Sequence, residues 1–225
     1  MKLSEQQVQF INNNLPDTSY QCQSSIVESK DPSVMSVIFW NPLSNAEISL
    51  ECPYHVGEKL TNTGIWAHMR MKKPPRKLYH LGNNVLLVSS LYSCTVCGNS
   101  IENSSHVAHD APILSQLPKN HSAPFYLFKK CGLTRLAYEF IINASLSGTS
   151  FHEISTSFKR SHGFHIAIHG KGDDEVFKMK HQSPSNRLCE DVFLHDFDQR
   201  LSFYEADMKK IQPKEISIDH TFNTR

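Results

Sequence analysis

Two cysteines separated by two residues and followed by a glycine, Cys94-Thr95-Val96-Cys97-Gly98, constrain this chain more than any other feature. The gap lets both sulfurs reach one tetrahedral ion, and the glycine lets the backbone turn behind them, so the segment is half of a zinc site. A second pair with the same gap, Cys52-Pro53-Tyr54-His55, lies upstream. Cys52, His55, Cys94 and Cys97 together make a closed set of the zinc-ribbon kind, with Zn2+ as a structural ion. A competing set stays open, in which His106-x-x-His109 joins Cys94 and Cys97. Its weakness is spacing, because a finger of that kind places about twelve residues between its pairs and sets the histidines on a helix. The cysteines can also be plain buried thiols, the reading given to Cys22, Cys131 and Cys189, which have no partner at ligand spacing.

Charge restricts what else the chain can do. Lys+Arg 23 against Asp+Glu 22 excludes an overall cationic coat, so any DNA contact must be a local patch. The most cationic window lies between the two ligand pairs, at 66–77, where Arg70, Lys72, Lys73, Arg76 and Lys77 occur with no carboxylate. Each such charge can displace a counterion from a phosphate backbone, and the bland alternative is a solvated loop without a partner. Six cysteines with one C-x-x-C fit a reducing compartment. No apolar run approaches the roughly 18 residues of a membrane helix, and the opening MKLSEQQVQF lacks a secretory pattern. The expectation is an intracellular protein, nuclear or cytoplasmic, with no membrane partner.

The 225 residues allow one large domain or two small ones. Residues 1–32 read as a loose polar lead-in. From Ser33 short apolar runs predict strands at 34–40, 46–52, 76–81 and 85–92, with Gly82-Asn83-Asn84 as a hairpin connection. These fill a zinc-ribbon-like module over 33–111. Over 112–212 the period becomes helical. Leu133, Leu136, Ala137, Phe140, Ile141 and Ala144 make one apolar face, and Ser150 with Glu153 is a capping box that opens a second helix. This pair has the form of a helix-turn-helix, with His152, Ser155, Thr156, Lys159 and Arg160 facing outward, or of a plain packing hairpin. Residues 161–187 read as a loop with a short strand at 164–168. A third helix from Leu188 to Ile211 carries Leu194, Phe197, Leu201, Tyr204, Met208 and Ile211 at alternating spacings of three and four. Such a seam packs on another helix or joins two copies of the chain. Residues 213–225 hold a closing strand pattern, and the fold class is α+β.

Several segments also resemble a known family. Phe39-Trp40-Asn41-Pro42, Cys52-Pro53-x-His55, the basic Pro-Arg stretch, Val85-Leu86-Leu87 and Leu91-Tyr92-x-Cys94-x-x-Cys97 resemble the zinc-binding N-terminal module of a eukaryotic family of transposon-derived proteins. That family usually has Cys-Pro-x-Cys in the first pair, so His55 is a departure, though histidine is an acceptable ligand. Leu117-Pro118, Pro124-Phe125, Gly132-Leu133-Thr134 and Gly148-Thr149-Ser150-Phe151-x-x-Ile154 are similar to the helical linker such proteins place before their catalytic core. Ile216-Ser217-Ile218-Asp219-His220-Thr221-Phe222 looks like the opening strand of the RNase H-like DDE transposase fold, and Asp219 matches its first metal-binding carboxylate. Two-metal phosphoryl transfer needs several converging carboxylates. The resemblance therefore implies a DNA-binding N-terminal part of a transposase-like protein, catalytically incomplete, with Asp219 a vestige. The rival reading is a zinc-dependent protein-interaction adaptor without DNA binding.

Overall fold

The computed structural model of the chain describes residues 4–15, 26–31, 34–65, 75–99, 105–119, 121–129, 131–169 and 175–209. Its class is α+β, and its organising element is one long strand. Val85–Ser93 (β5) is buried at every position, which its near-continuous apolar run dictates. In its first half β5 pairs in parallel with Val37–Trp40 (β2) and antiparallel with Arg76–Tyr79 (β4). In its second half it pairs antiparallel with Thr61–Ile65 (β3) and His106–Val107 (β6). Leu78 faces Val85 across β4 and β5, so the expected Gly82-Asn83-Asn84 connection is present.

Ile26–Val27 (β1) adds antiparallel to β2 at one edge. Gly132–Thr134 (β8) adds in parallel to β4, and Phe125–Leu127 (β7) closes the other edge against β8. The sheet therefore continues past residue 111, where the sequence reading ended the β module, and draws its last two strands from the segment read as a helical linker. At β8 a Cβ on Gly132 would come within 2.8 Å of the Tyr126 carbonyl and 2.6 Å of Leu78, so the strand approach there depends on glycine. The segment 46–52, expected as a strand, makes only the isolated bridge Glu51 to Lys59. It is instead one arm of a tight turn, described below.

Alternation along β2 and β5 sends side chains to two faces, and both faces are covered. Ile38, Trp40, Val85 and Leu87 belong to the core around the cysteines. Val37, Phe39, Leu86 and Val88 pack with Met35 and Ile11 on the other side. Ile11 lies on Glu5–Asn13 (α1), a helix capped by Ser4, whose side chain accepts from Gln7 N. The lead-in reading of 1–32 is thus corrected at 4–15. Its sequence is polar, but Gln7 is spent on the backbone: Nε2 donates to Met35 O (3.0 Å) and Oε1 accepts from Met35 N (2.7 Å).

The short helix Ala111–Leu114 (α3) precedes β7, and Arg135–Leu146 (α4) and then Phe151–His169 (α5) follow β8. The capping box forms as expected, with Glu153 N donating to Ser150 Oγ (3.3 Å) and Ser150 N to Glu153 Oε2 (3.1 Å). Residues 161–169, read as part of a loop, continue α5. Glu175–Lys180 (α6) and Asn186–Met208 (α7) complete the helices. Leu133, Ala137, Ile141, Ile154, Phe158, Leu188 and Val192 form their common core against Tyr79. The closing segment with Asp219 lies outside the described residues, as does Cys22.

Candidate metal centre

The long strand ends one residue before Cys94, which becomes the N-cap of the short helix Thr95–Gly98 (α2). Cys94 Sγ accepts from Cys97 N (3.3 Å), and Gly98 N donates to Cys94 O (2.9 Å). This tight loop turns both sulfurs to one side. The other pair sits on a second loop. Cys52 N donates to Glu58 O (2.8 Å), Leu60 N to Leu50 O (2.9 Å), and Glu58 N to His55 O (3.2 Å). Gly57, at φ 80°, supplies the left-handed residue that closes the turn. Thr95 Oγ1 donates to Glu58 Oε2 (2.5 Å) and ties one loop to the other.

The two loops bring the four expected ligands together. The donor atoms of Cys52, His55, Cys94 and Cys97 all lie within 4.8 Å of one another, with the three thiols buried and His55 half-buried. His55 Nδ1 stands 3.4 Å from each of the Cys52, Cys94 and Cys97 sulfurs, and Cys52 Sγ is 3.6 Å from Cys97 Sγ. A tetrahedral ion with sulfur at about 2.3 Å and nitrogen at 2.0–2.1 Å requires edges of about 3.5–3.8 Å between its ligands. The donor set and these four edges are consistent with one bound metal ion.

Burial raises the Cys94 thiol, but the Cys97 N–H and hydrogen bonds from Cys97, Cys52 and His55 outweigh it and bring the pKa down to about 7. Cys97 is pushed up to about 12 by burial and by its hydrogen bonds and charge repulsion with Cys52 and Cys94. One thiolate is favoured in this cluster, and a second negative charge beside it is resisted.

The competing ligand set is not assembled. His109 points to Ser89, its Nδ1 2.7 Å from Ser89 Oγ, and burial holds its pKa down at about 4. His106 does approach the sulfurs, at 3.6 Å from Cys52 and 3.5 Å from Cys97 through Nε2. Burial lowers its pKa, against the nearby Asp110 carboxylate. The His-x-x-His spacing drew attention to this residue, but nothing in the sequence distinguished its position beside the centre from a place within it.

The basic window is split. Arg70, Lys72 and Lys73 lie outside the described residues. Arg76 and Lys77 lie on β4 and are engaged by the fold. Arg76 Nη1 donates to Phe128 O (3.0 Å), while Lys77 Nζ donates to Gln182 and lies 4.3 Å from the Tyr79 ring centroid. Burial lowers the Lys77 pKa, partly offset by Cys131. On α5, His152, Lys159 and Arg160 are exposed as expected, but Ser155 is buried and donates to Pro184 O (2.8 Å). On α7, Leu194, Phe197 and Leu201 are 45%, 43% and 39% exposed. Nothing is described of the Tyr204 and Met208 side chains, and Ile211 lies outside the described residues. No helix among the described residues is long and apolar enough to cross a membrane.

Comparison of the chain with protein-family models, with curated proteins and with solved structures gives no match.

Proposed function

We propose that Cys52, His55, Cys94 and Cys97 hold one structural Zn2+, that this closes a zinc-ribbon-like module, and that the module binds DNA. The observation that carries the metal reading is the convergence of four donor atoms from two separate loops within 4.8 Å. Three sulfurs and one imidazole nitrogen in a tetrahedron suit zinc better than the hard cations. Four protein ligands leave no position for a reacting water, so the ion's contribution is to folding and not to catalysis.

DNA is the partner that the basic window favours. The segment carrying Arg70, Lys72 and Lys73 leaves from β3 and returns through β4, and both strands pair with the strand that delivers Cys94. An ion that locks the end of β5 thus holds both ends of the basic connection. Arg76 and Lys77 are assigned to the fold, so the DNA contact reduces to the other three. Neutralising three phosphates gives a slope of log affinity against log salt of about −2.7. Duplex binding titrated over a salt series should show that slope, and Arg70→Glu, Lys72→Glu and Lys73→Glu together should abolish it. Absence of binding at low salt, or binding that survives the triple reversal, would overturn the DNA reading. The transposase-like ancestry suggested by the motifs remains part of this proposal.

A second reading, a protein-interaction adaptor, is favoured by the exposure of Leu194, Phe197 and Leu201 on a helix whose other side is already buried through Leu188, Cys189 and Val192. A second copy of the chain is the proposed partner. Sedimentation equilibrium should then show a dimer that Leu194→Glu with Leu201→Glu converts to a monomer, and a monomeric wild type would dismiss it.

A further inference from the structure

His106 faces the cluster of Cys52, His55, Cys94 and Cys97. Its Nε2 lies 3.6 Å from Cys52 Sγ and 3.5 Å from Cys97 Sγ, across the edge that these two sulfurs form at 3.6 Å. The backbone fixes this placement, because β6 pairs His106 with Tyr92, two residues before Cys94. Val107 N donates to Asp110 Oδ2 (3.1 Å) and holds the following turn. The ring is buried, and Tyr54, which lies between Cys52 and His55 in the chain, packs on it with centroids 5.4 Å apart. The two sulfurs that His106 meets come from different loops, one from each.

Resting on the metal reading above, we propose that His106 is a positioning residue for the centre, whose Nε2–H donates to the Cys52 and Cys97 thiolates from outside the coordination sphere. Three thiolates around a dication leave a net negative charge on the sulfurs, and an N–H directed at two of them offsets part of it. A donor shared between the loops also holds both sulfurs in the geometry that one ion needs, and outer partners of this kind typically contribute 10- to 100-fold to metal affinity. The hydrogen bonds occupy sulfur lone pairs, so they protect the thiolates from electrophiles. His55 already supplies the imidazole ligand, which leaves the outer role to His106.

The direct test uses the full chain labelled with 15N-histidine and loaded with 113Cd. His55 Nδ1 should show one-bond coupling to cadmium, while His106 Nε2 should carry a slowly exchanging proton and no such coupling. Direct coupling at His106 Nε2 would make it a ligand and overturn the proposal. In a parallel arm, Co2+-loaded wild type, His106→Phe and His106→Gln are treated with N-ethylmaleimide and cobalt release is followed. All three should keep the tetrahedral d–d bands. His106→Phe should release metal at least about 10-fold faster, and His106→Gln, which retains an N–H donor, should recover most of the difference. Equal release rates in a wild type that loads one ion would sink this inference alone. A wild type that loads no ion would sink the metal reading, and this one with it. Because the cadmium arm needs only the wild type, a variant that fails to fold leaves the test intact.

Discussion

Cys94 and Cys97 are three residues apart, yet one thiol is drawn down to about 7 and the other pushed up to about 12. The loop amide favours charge on Cys94, while Cys97 is buried among sulfurs that repel it. The dication proposed above would offset this repulsion, so each of the four residues should matter well beyond its packing. Replacing His55 by Ala should weaken metal binding by about 100-fold or more, a loss read by competition with a chromogenic chelator. His109, set aside as a ligand, has a different signature. Its pKa is about 4 in the fold, because of burial, against about 6.5 when unfolded. As pH falls the unfolded chain takes the proton first, so stability present above about pH 6.5 is lost between there and about pH 4. Between about pH 7 and about pH 5 this residue alone should cost about 2 kcal/mol. His109→Gln should remove that part of the slope in paired denaturant titrations, and identical slopes would refute the burial argument.

Helices and strands were legible where apolar period and capping agreed. β4, β5, α4 and the start of α5 fall close to where Arg76–Leu81, Val85–Tyr92, Leu133–Ala144 and the Ser150–Glu153 box placed them. Ser150→Ala should destabilise the chain by about 1 kcal/mol through loss of the cap to Glu153 N. Other elements carried no such signal. The helix α1 is polar because its buried Gln7 satisfies the Met35 backbone, a role that composition counts as surface. The later turns of α5 contain Gly163 and several histidines, which suggested a loop. The expected strand at 46–52 was alternating but too close to the Cys52 turn to pair beyond one bridge. At β8, Gly132→Ala should cost about 1–3 kcal/mol by overpacking against the Tyr126 carbonyl and Leu78, measured as a lowered unfolding midpoint.

Across the whole molecule, the clustering of Cys52, His55, Cys94 and Cys97 was legible because two pairs of metal-capable residues at a two-residue gap, one C-x-x-C and one C-x-x-H, are chemically demanding. The sheet around it was less so, because β7 and β8 are short and sit among helical sequence. β5 connects the two levels: it is the central strand and it ends at the centre, so the ion should stabilise the sheet through β5, and Trp40, which pairs with β5 and belongs to the same apolar core as the cysteines, should report its loss. The basic connection and the α7 face are tested by the salt and sedimentation measurements given above. Whether a structural zinc completes this fold is decided by metal analysis of protein purified without chelator, paired with Trp fluorescence and circular dichroism during unfolding before and after metal removal. One zinc per chain and loss of the cooperative transition on its removal are expected; a metal-free chain that unfolds cooperatively at an unchanged midpoint would show that no zinc completes the fold.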